Sequence, residues 1–242
     1  MKRIVIVGAT SGIGACLAQL YIARGYTVGI TGRREELLRQ TGGGHRNVLA
    51  VRHDVCDLRT SVPNLQALVE RMGGMDVFIL CAGVGKMNPE LDFTEDLATI
   101  DTNVRGWTAI TNWAFNYFRQ QGHGQLAAIT SIAALRGLAP APSYAASKAY
   151  QAHYLEALRQ RAWSEGLDIA VTEIRPGFVR TPLLSGNPKF FWIMPVEKAA
   201  RQIAKAIDRR CACATVTRRW KLIVPAMCLA PARLLAKILH KP

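Results

Sequence analysis

A short apolar run, Arg3-Ile-Val-Ile-Val7, passes without a spacer into Gly8-Ala-Thr-Ser-Gly12-Ile-Gly14. β-Branched residues favour a strand, and the glycines allow a tight turn whose backbone N–H groups converge on the start of a helix, where the dipole favours an anion. Strand, glycine turn and helix in that order demand a crossover back into a parallel sheet. The turn is therefore a candidate pyrophosphate site, with Gly8, Thr10, Ser11, Gly12, Ile13 and Gly14 as its contacts. The alternation continues, with strands expected at 3–7, 27–31, 48–54, 77–81, 126–131 and 169–175 and helices near 13–24, 34–40, 61–72, 96–121 and 144–164. A doubly wound, three-layer parallel α/β sheet follows. The 242 residues suffice for one such domain.

The second signal is Tyr144-Ala-Ala-Ser-Lys148, with Ser131 thirteen residues before the tyrosine. Spacing of i and i+4 puts Tyr144 and Lys148 on one helical face, where an ammonium favours the phenolate and makes the phenol a usable proton donor. Ser131, at the end of the fifth expected strand, can hydrogen-bond an oxygen whose charge changes during reaction. On its own such a tyrosine–lysine pair is more often a surface feature.

With these motifs in this order, the chain resembles the single-domain short-chain dehydrogenase/reductase family over about residues 3–210. The resemblance rests on residues 8–14, Asp54-Val55, Cys81-Ala82-Gly83, Asn103-Val-Arg-Gly106, Ser131, Tyr144 with Lys148, and Pro176-Gly177. It implies a Rossmann-type sheet of seven strands, the seventh near 214–217, and assigns roles. Tyr144 is the expected general acid/base. Lys148 lowers its pKa and holds the nicotinamide ribose, Ser131 orients the carbonyl or alcohol, and Asn103 anchors a water chain to Lys148. Asp54 and Val55 face the adenine, Ala82 and Gly83 the ribose, and Pro176, Gly177, Val179 and Thr181 the nicotinamide. Relatives of this kind are usually dimers or tetramers. Two positions depart from the family: Val7 stands for a threonine, and Leu80-Cys81 for two asparagines, the second change bearing on local rigidity more than on catalysis.

An NAD site calls for a carboxylate at the end of the second strand, about 20 residues past the glycines, to hold the ribose 2′-OH. That place reads Thr31-Gly32-Arg33-Arg34. Guanidinium groups suit a 2′-phosphate, so NADP is the expected cofactor and NAD the less favoured one. The alternative is that both arginines decorate a charged helix start with Glu35 and Glu36. The activity implied is reduction of a ketone or aldehyde, or oxidation of the alcohol, by hydride transfer. A cofactor-binding regulator without turnover is the alternative, against which the intact Tyr144 and Lys148 speak.

Residues 175–195 break the alternation with Pro176, Gly177, Pro182, Gly186 and Pro188, then Phe190-Phe-Trp-Ile-Met194. A lid at about 181–195 over an apolar substrate is expected there, the alternative being a surface helix packed on the core. Residues 1–210 are read as the cofactor-binding and catalytic part, and 211–242 as a basic, apolar extension of the same domain.

Lys and Arg number 31 against 17 Asp and Glu, a net charge of +14, and from residue 200 onward ten basic residues face one acid, Asp208. So local an excess argues against a nucleic-acid-binding fold, and no such motif accompanies it. Arg218-Arg-Trp-Lys221 and Arg233 to Lys241 could meet an anionic membrane, or Leu234, Leu235, Ile238 and Leu239 could pack on protein. The apolar stretch 222–232 holds 11 residues and Pro225, too few and too broken to span a bilayer. Glycines interrupt the apolar start too early for a signal peptide, and six cysteines without paired CxxC spacing point to reduced thiols and no metal. A cytoplasmic protein is expected, with possible membrane association through 218–242.

Overall fold

The computed structural model describes residues 2–184, 192–217 and 219–239. Seven strands, β1 (Arg3–Val7), β2 (Thr27–Gly32), β3 (Val48–Arg52), β4 (Val77–Leu80), β5 (His123–Ile129), β6 (Asp168–Pro176) and β7 (Cys213–Val216), form one sheet in the order β3-β2-β1-β4-β5-β6-β7. Every pairing is parallel, as in Val5 against Gly29 on one side and Phe78 on the other. The doubly wound α/β sheet expected from the sequence is the fold. Its helices are α1 (Gly12–Ala23), α2 (Glu35–Gly42), α3 (Ser61–Arg71), α4 (Phe93–Ile100), α5 (Trp107–Gln121), α6 (Pro142–Ser164), α7 (Val196–Asp208), α8 (Trp220–Leu229) and α9 (Ala232–Leu239).

The twofold period of a strand sends alternate side chains to opposite faces. Ile4 and Ile6 of β1 join Leu17, Tyr21 and Ile203 in one core layer. Val5 and Val7 join Leu65, Phe78, Trp107, Phe115 and Phe118 in the other. Chain order reverses between β1 and β4, so the turns leaving those strands diverge and open a crevice at the strands' carboxyl ends.

Three features differ from the sequence-based expectations. The helix expected at 96–121 is α4 and α5 joined by a π-helical turn, Asp101–Gly106. Apolar spacing cannot show this, because a wider turn changes hydrogen bonding without ending the helical run. Helix α7 was not anticipated, since much of its buried face is alanine: Ala199, Ala200, Ala204 and Ala206 beside Ile203 and Ile207. Pro231 separates α8 from α9 as expected of a breaker, but Pro225 lies inside α8. The edge strand β7 lies beyond residue 210. Of the expected lid, Phe190, Phe191, Gly186 and Pro188 lie outside the described residues, as do Arg218, His240 and Lys241 and the side chains of Ile238 and Leu239. Among the described residues, no helix is long and apolar enough to cross a membrane.

His53 closes the end of β3 as a buried cross-link, with Nδ1 3.2 Å from Thr31 Oγ1 and Nε2 2.8 Å from Ser61 Oγ. Burial lowers its pKa to about 4, against 6.5 for a free histidine. The folded protein therefore resists a proton that the unfolded chain accepts. Stability is complete above pH 6.5 and declines as pH falls toward 4. The loss attributable to this one group is about 3 kcal/mol. Chemical denaturation across that window should show a shallower pH slope in His53→Gln than in the parent; equal slopes would remove His53 as the cause.

Candidate active site

The crevice begins at the glycine turn. Gly8 has a φ of +88°, and a Cβ there would lie 2.5 Å from the backbone nitrogen of Ala82, so only glycine lets β1 and the loop after β4 approach so closely. The N–H groups of Gly8 and Ala9 both donate to Thr31 O at 2.9 Å. The first N–H groups of α1, at Gly12, Ile13 and Gly14, have no acceptor within the helix. Ser11 occupies the N-cap position without capping. Its hydroxyl instead accepts from Arg34 Nη2 at 2.8 Å, and Thr10 Oγ1 accepts from the same nitrogen at 2.9 Å. An uncapped helix N-terminus, a cradle that a Cβ would fill and two adjacent guanidinium groups fit the phosphates of a nucleotide.

One cleft is lined by Gly8, Thr10–Gly14, Arg33, Arg34, Asp54, Val55, Ala82, Gly83, Tyr144, Lys148 and Thr181. Most of the residues expected to face the cofactor therefore share one cavity. Ser131, Asn103, Pro176, Gly177 and Val179 are not among the residues that line it, although Ser131 hydrogen-bonds Tyr144, which does. Val179 is a core residue bridged to Met194, and Gly177 packs on the Trp220 indole. Asp54 uses one oxygen to accept from Cys56 N at 3.0 Å.

Helix α6 carries Tyr144 and Lys148 on the face turned to the cleft. Burial raises the Tyr144 pKa, and a hydrogen bond with Ser131 opposes the rise. Ser131 itself sits where β5 gives way to a 3₁₀ turn, and its Oγ accepts from Ala133 N at 3.1 Å. The Lys148 ammonium lies 5.9 Å from the Tyr144 ring centroid. It donates to Ile129 O at 3.1 Å and to Gln151 Oε1 at 2.9 Å. Desolvation lowers its pKa to about 8, and the neighbouring Cys81 acts in the opposite direction. Cys81, one of the two family departures, has its thiol pushed up to about 12 by burial.

Asn103 is held by the π-helical turn. Its side chain clasps the loop after β4, with Oδ1 accepting from Val84 N at 2.9 Å and Nδ2 donating to Val84 O at 2.7 Å and Ser147 Oγ at 3.0 Å. Its backbone carbonyl accepts from Gln151 Nε2 at 2.8 Å. A fully buried glutamine amide thus links Lys148 to Asn103, across the span for which the family resemblance implied water. Gln151 is the residue that sequence reasoning missed, although its i+3 spacing from Lys148 placed it on the same helical face. Gly83 makes room for the arrangement, since a Cβ there would sit 3.3 Å from both Asn103 Oδ1 and Lys148 Nζ. Among the described residues, no group of three or more His, Cys, Asp or Glu side chains could hold a metal ion.

This fold and this cleft are those of a doubly wound α/β protein with a nucleotide-sized crevice, and comparison with known proteins specifies the family. Residues 2–189 match the short chain dehydrogenase family model, and the chain belongs to that family. A Myxococcus xanthus protein described as an uncharacterized oxidoreductase is 32% identical over 249 residues, spanning 100% of this chain and 94% of its own. The 11-beta-hydroxysteroid dehydrogenase A of Sesamum indicum is 30% identical over 258 residues, covering 93% of this chain and 72% of its own. Two solved structures share the fold. The 3-ketoacyl-(acyl-carrier-protein) reductase of Brucella melitensis complexed with NADH has a TM-score of 0.80 at 23% identity, over 89% of this chain and 96% of that one. An actinorhodin polyketide ketoreductase with NADPH has a TM-score of 0.78 at 24% identity, over 89% and 95%.

Proposed function

We propose that this chain is an NADP(H)-dependent reductase of a largely apolar ketone or aldehyde, able to run in reverse on the alcohol. The observation that carries the reading is the placement of Tyr144, hydrogen-bonded to Ser131, and Lys148 on the same cleft that the glycine turn opens. Bound there, the nicotinamide supplies the hydride that the carbonyl carbon gains. All other functions fall to the chain. The N-terminus of α1 with Thr10 and Ser11 holds the pyrophosphate, Asp54 and Val55 the adenine, and Ala82 and Gly83 the ribose. Pro176, Gly177, Val179 and Thr181 shape the nicotinamide side. Ser131 Oγ orients the substrate oxygen, and Tyr144 Oη gives it the proton. Lys148, an ammonium below about pH 8, stabilises the phenolate left behind and holds the nicotinamide ribose.

The solved neighbours carry NADH in one case and NADPH in the other, so the choice rests on this chain's own residues. Glu35 and Glu36 pair with Arg39 at 3.0 and 3.4 Å, not with Arg33 or Arg34. The only carboxylate lining the described cleft is Asp54. The apolar substrate is supported by Pro182, Leu184 and Ile193 around a second cavity that Arg180 and Thr181 also line, by Leu183 on the cleft, and by the steroid named for the Sesamum relative. Self-association belongs to the same reading, supported by the exposed stripe Phe93, Leu97 and Ile100 on α4.

NADPH consumption over a graded series of ketones and aldehydes should rise with substrate apolarity and vanish in Tyr144→Phe. Tight NADPH binding with no turnover by the parent would favour the cofactor-sensing alternative. Arg33→Ala and Arg34→Ala should each raise the KM for NADPH about tenfold, the cost of a lost charge-assisted hydrogen bond, and leave that for NADH nearly unchanged. Equal changes for both cofactors would overturn the NADP preference.

Gln151 positions Lys148 and so enters the pH dependence of the reaction. Removing an acceptor destabilises the ammonium, whereas a carboxylate in its place stabilises it; Tyr144 and Cys81, the other titratable groups facing Lys148, are unaltered in both variants. The alkaline limb of the kcat profile should move down by about one pH unit in Gln151→Leu and up in Gln151→Glu. Profiles unmoved by either change would leave Gln151 a packing residue.

A further inference from the structure

We propose that α8 and α9 dock the rim of the catalytic cleft onto an anionic lipid surface. Helix α8 is fixed at both ends. At its start, Trp220 is buried on Gly177, with its ring 5.4 Å from Phe178 and 6.1 Å from Trp192. At its end, Arg136 Nη1 donates to Cys228 O at 2.6 Å and to Met227 O at 3.4 Å. Gly177 follows β6, and Arg136 follows the turn that Ser131 caps, so α8 runs along the rim on the Ser131 side.

So anchored, α8 turns Leu222, Pro225, Ala226 and Leu229 outward, at i, i+3, i+4 and i+7 on one face. Leu222 is 81% exposed and Leu229 84%. Leu234 of α9, with Leu183 and Trp192 near the cleft, adds further exposed apolar surface. Exposed cations accompany these residues: Arg219, which lies over the Trp192 ring at 5.9 Å, then Lys221, Arg233 and Lys237. No acidic residue follows Asp208.

Apolar residues edged by cations of one sign fit the boundary between anionic headgroups and acyl chains. Helices of ten and eight residues, separated at Pro231, can lie in that boundary and cannot cross it. A second copy is the weaker occupant. In a twofold pairing the patch meets itself, and these cations would face each other with no carboxylate between them. The α4 stripe suits self-association better, because Glu95 lies beside Lys86 there and Asp96 adds a second carboxylate to the same helix.

The test is flotation of the full chain with phosphatidylcholine vesicles, with and without phosphatidylglycerol. The protein should float only with the anionic vesicles and be released by salt. The double variant Leu222→Asp, Leu229→Asp and the double variant Lys221→Glu, Arg233→Glu should each lose about tenfold or more of the bound fraction. Both should keep the parent melting temperature and the parent turnover of a water-soluble carbonyl, a readout that fails separately if the catalytic reading is wrong. Flotation unaffected by either change, or absent from anionic vesicles, would overturn the proposal. So would a drop in solution mass in the leucine variant without any parent flotation, which would give the patch to a second copy, and so would salt-sensitive retention on DNA without flotation.

Discussion

A lysine ammonium inside the protein must be compensated or it discharges, and the catalytic end of the molecule is arranged around that requirement. Lys148 meets it with one carbonyl from the end of β5 and one amide oxygen from its own helix. The amide is useful only if its other end is fixed, and the Asn103 carbonyl fixes it. Asn103 in turn is placed by the π-helical turn and clasps Val84 from both sides. One buried charge therefore ties together β5, α6, the α4–α5 junction and the loop after β4. Gly83 is small because this network passes beside it.

The same reasoning explains why the lysine belongs at this place in the fold. Strand order reverses between β1 and β4, and the cleft lies where the loops leave the sheet there. Gly8 brings one loop against Ala82 while Asn103 pins the other. The space between them is polar at its glycine end and desolvated at its tyrosine end. A phenol and an ammonium at the desolvated end have pKa values displaced in opposite directions, the phenol upward from burial but opposed by Ser131, the ammonium downward to about 8. Charge on the lysine thus depends on pH over the range in which a reductase works.

The sheet was legible in the sequence because parallel strands buried on both faces are short β-branched runs, and Ile4 to Val7 or Val77 to Leu80 read as little else. Tyr144, Lys148 and Ser131 were legible for a different reason: each needs a particular residue type at a particular spacing. Gln151 met the spacing condition too, but a glutamine on a helix is ordinarily solvated, and nothing local marks this one as fully buried. Its burial follows from the π-helical turn, which apolar spacing does not encode. Helix α7 was hidden by the weak apolarity of alanine, and the bidentate Arg175–Glu173 pair, with Thr130 on the same carboxylate, by the fact that its burial arises only when β6 is enclosed between β5 and β7.

A net charge of +14 suggests a uniformly basic surface, but the ion pairs show otherwise. Arg39 meets Glu35 and Glu36, Lys86 meets Glu95, Arg105 meets Asp101, and Arg119 and Arg161 share Glu165. Each pair is exposed and contributes little stability, yet each cancels the local field. Among the described residues, no ion pair joins Arg33 or Arg34 to a carboxylate, nor Arg219, Lys221, Arg233 or Lys237. Unpaired cations thus stand at the polar end of the cleft and on the helices of its rim, as they do elsewhere on the surface at Arg46, Arg52, Arg71, Lys198 and Lys205. In the cleft the guanidinium groups adjoin glycines and hydroxyls, surroundings made for a phosphate in a fixed position. On the rim the cations adjoin exposed leucines, where no small anion would cover the apolar surface and a lipid interface would cover both. The neighbours of each cationic group, more than its charge, decide which anion it is suited to meet.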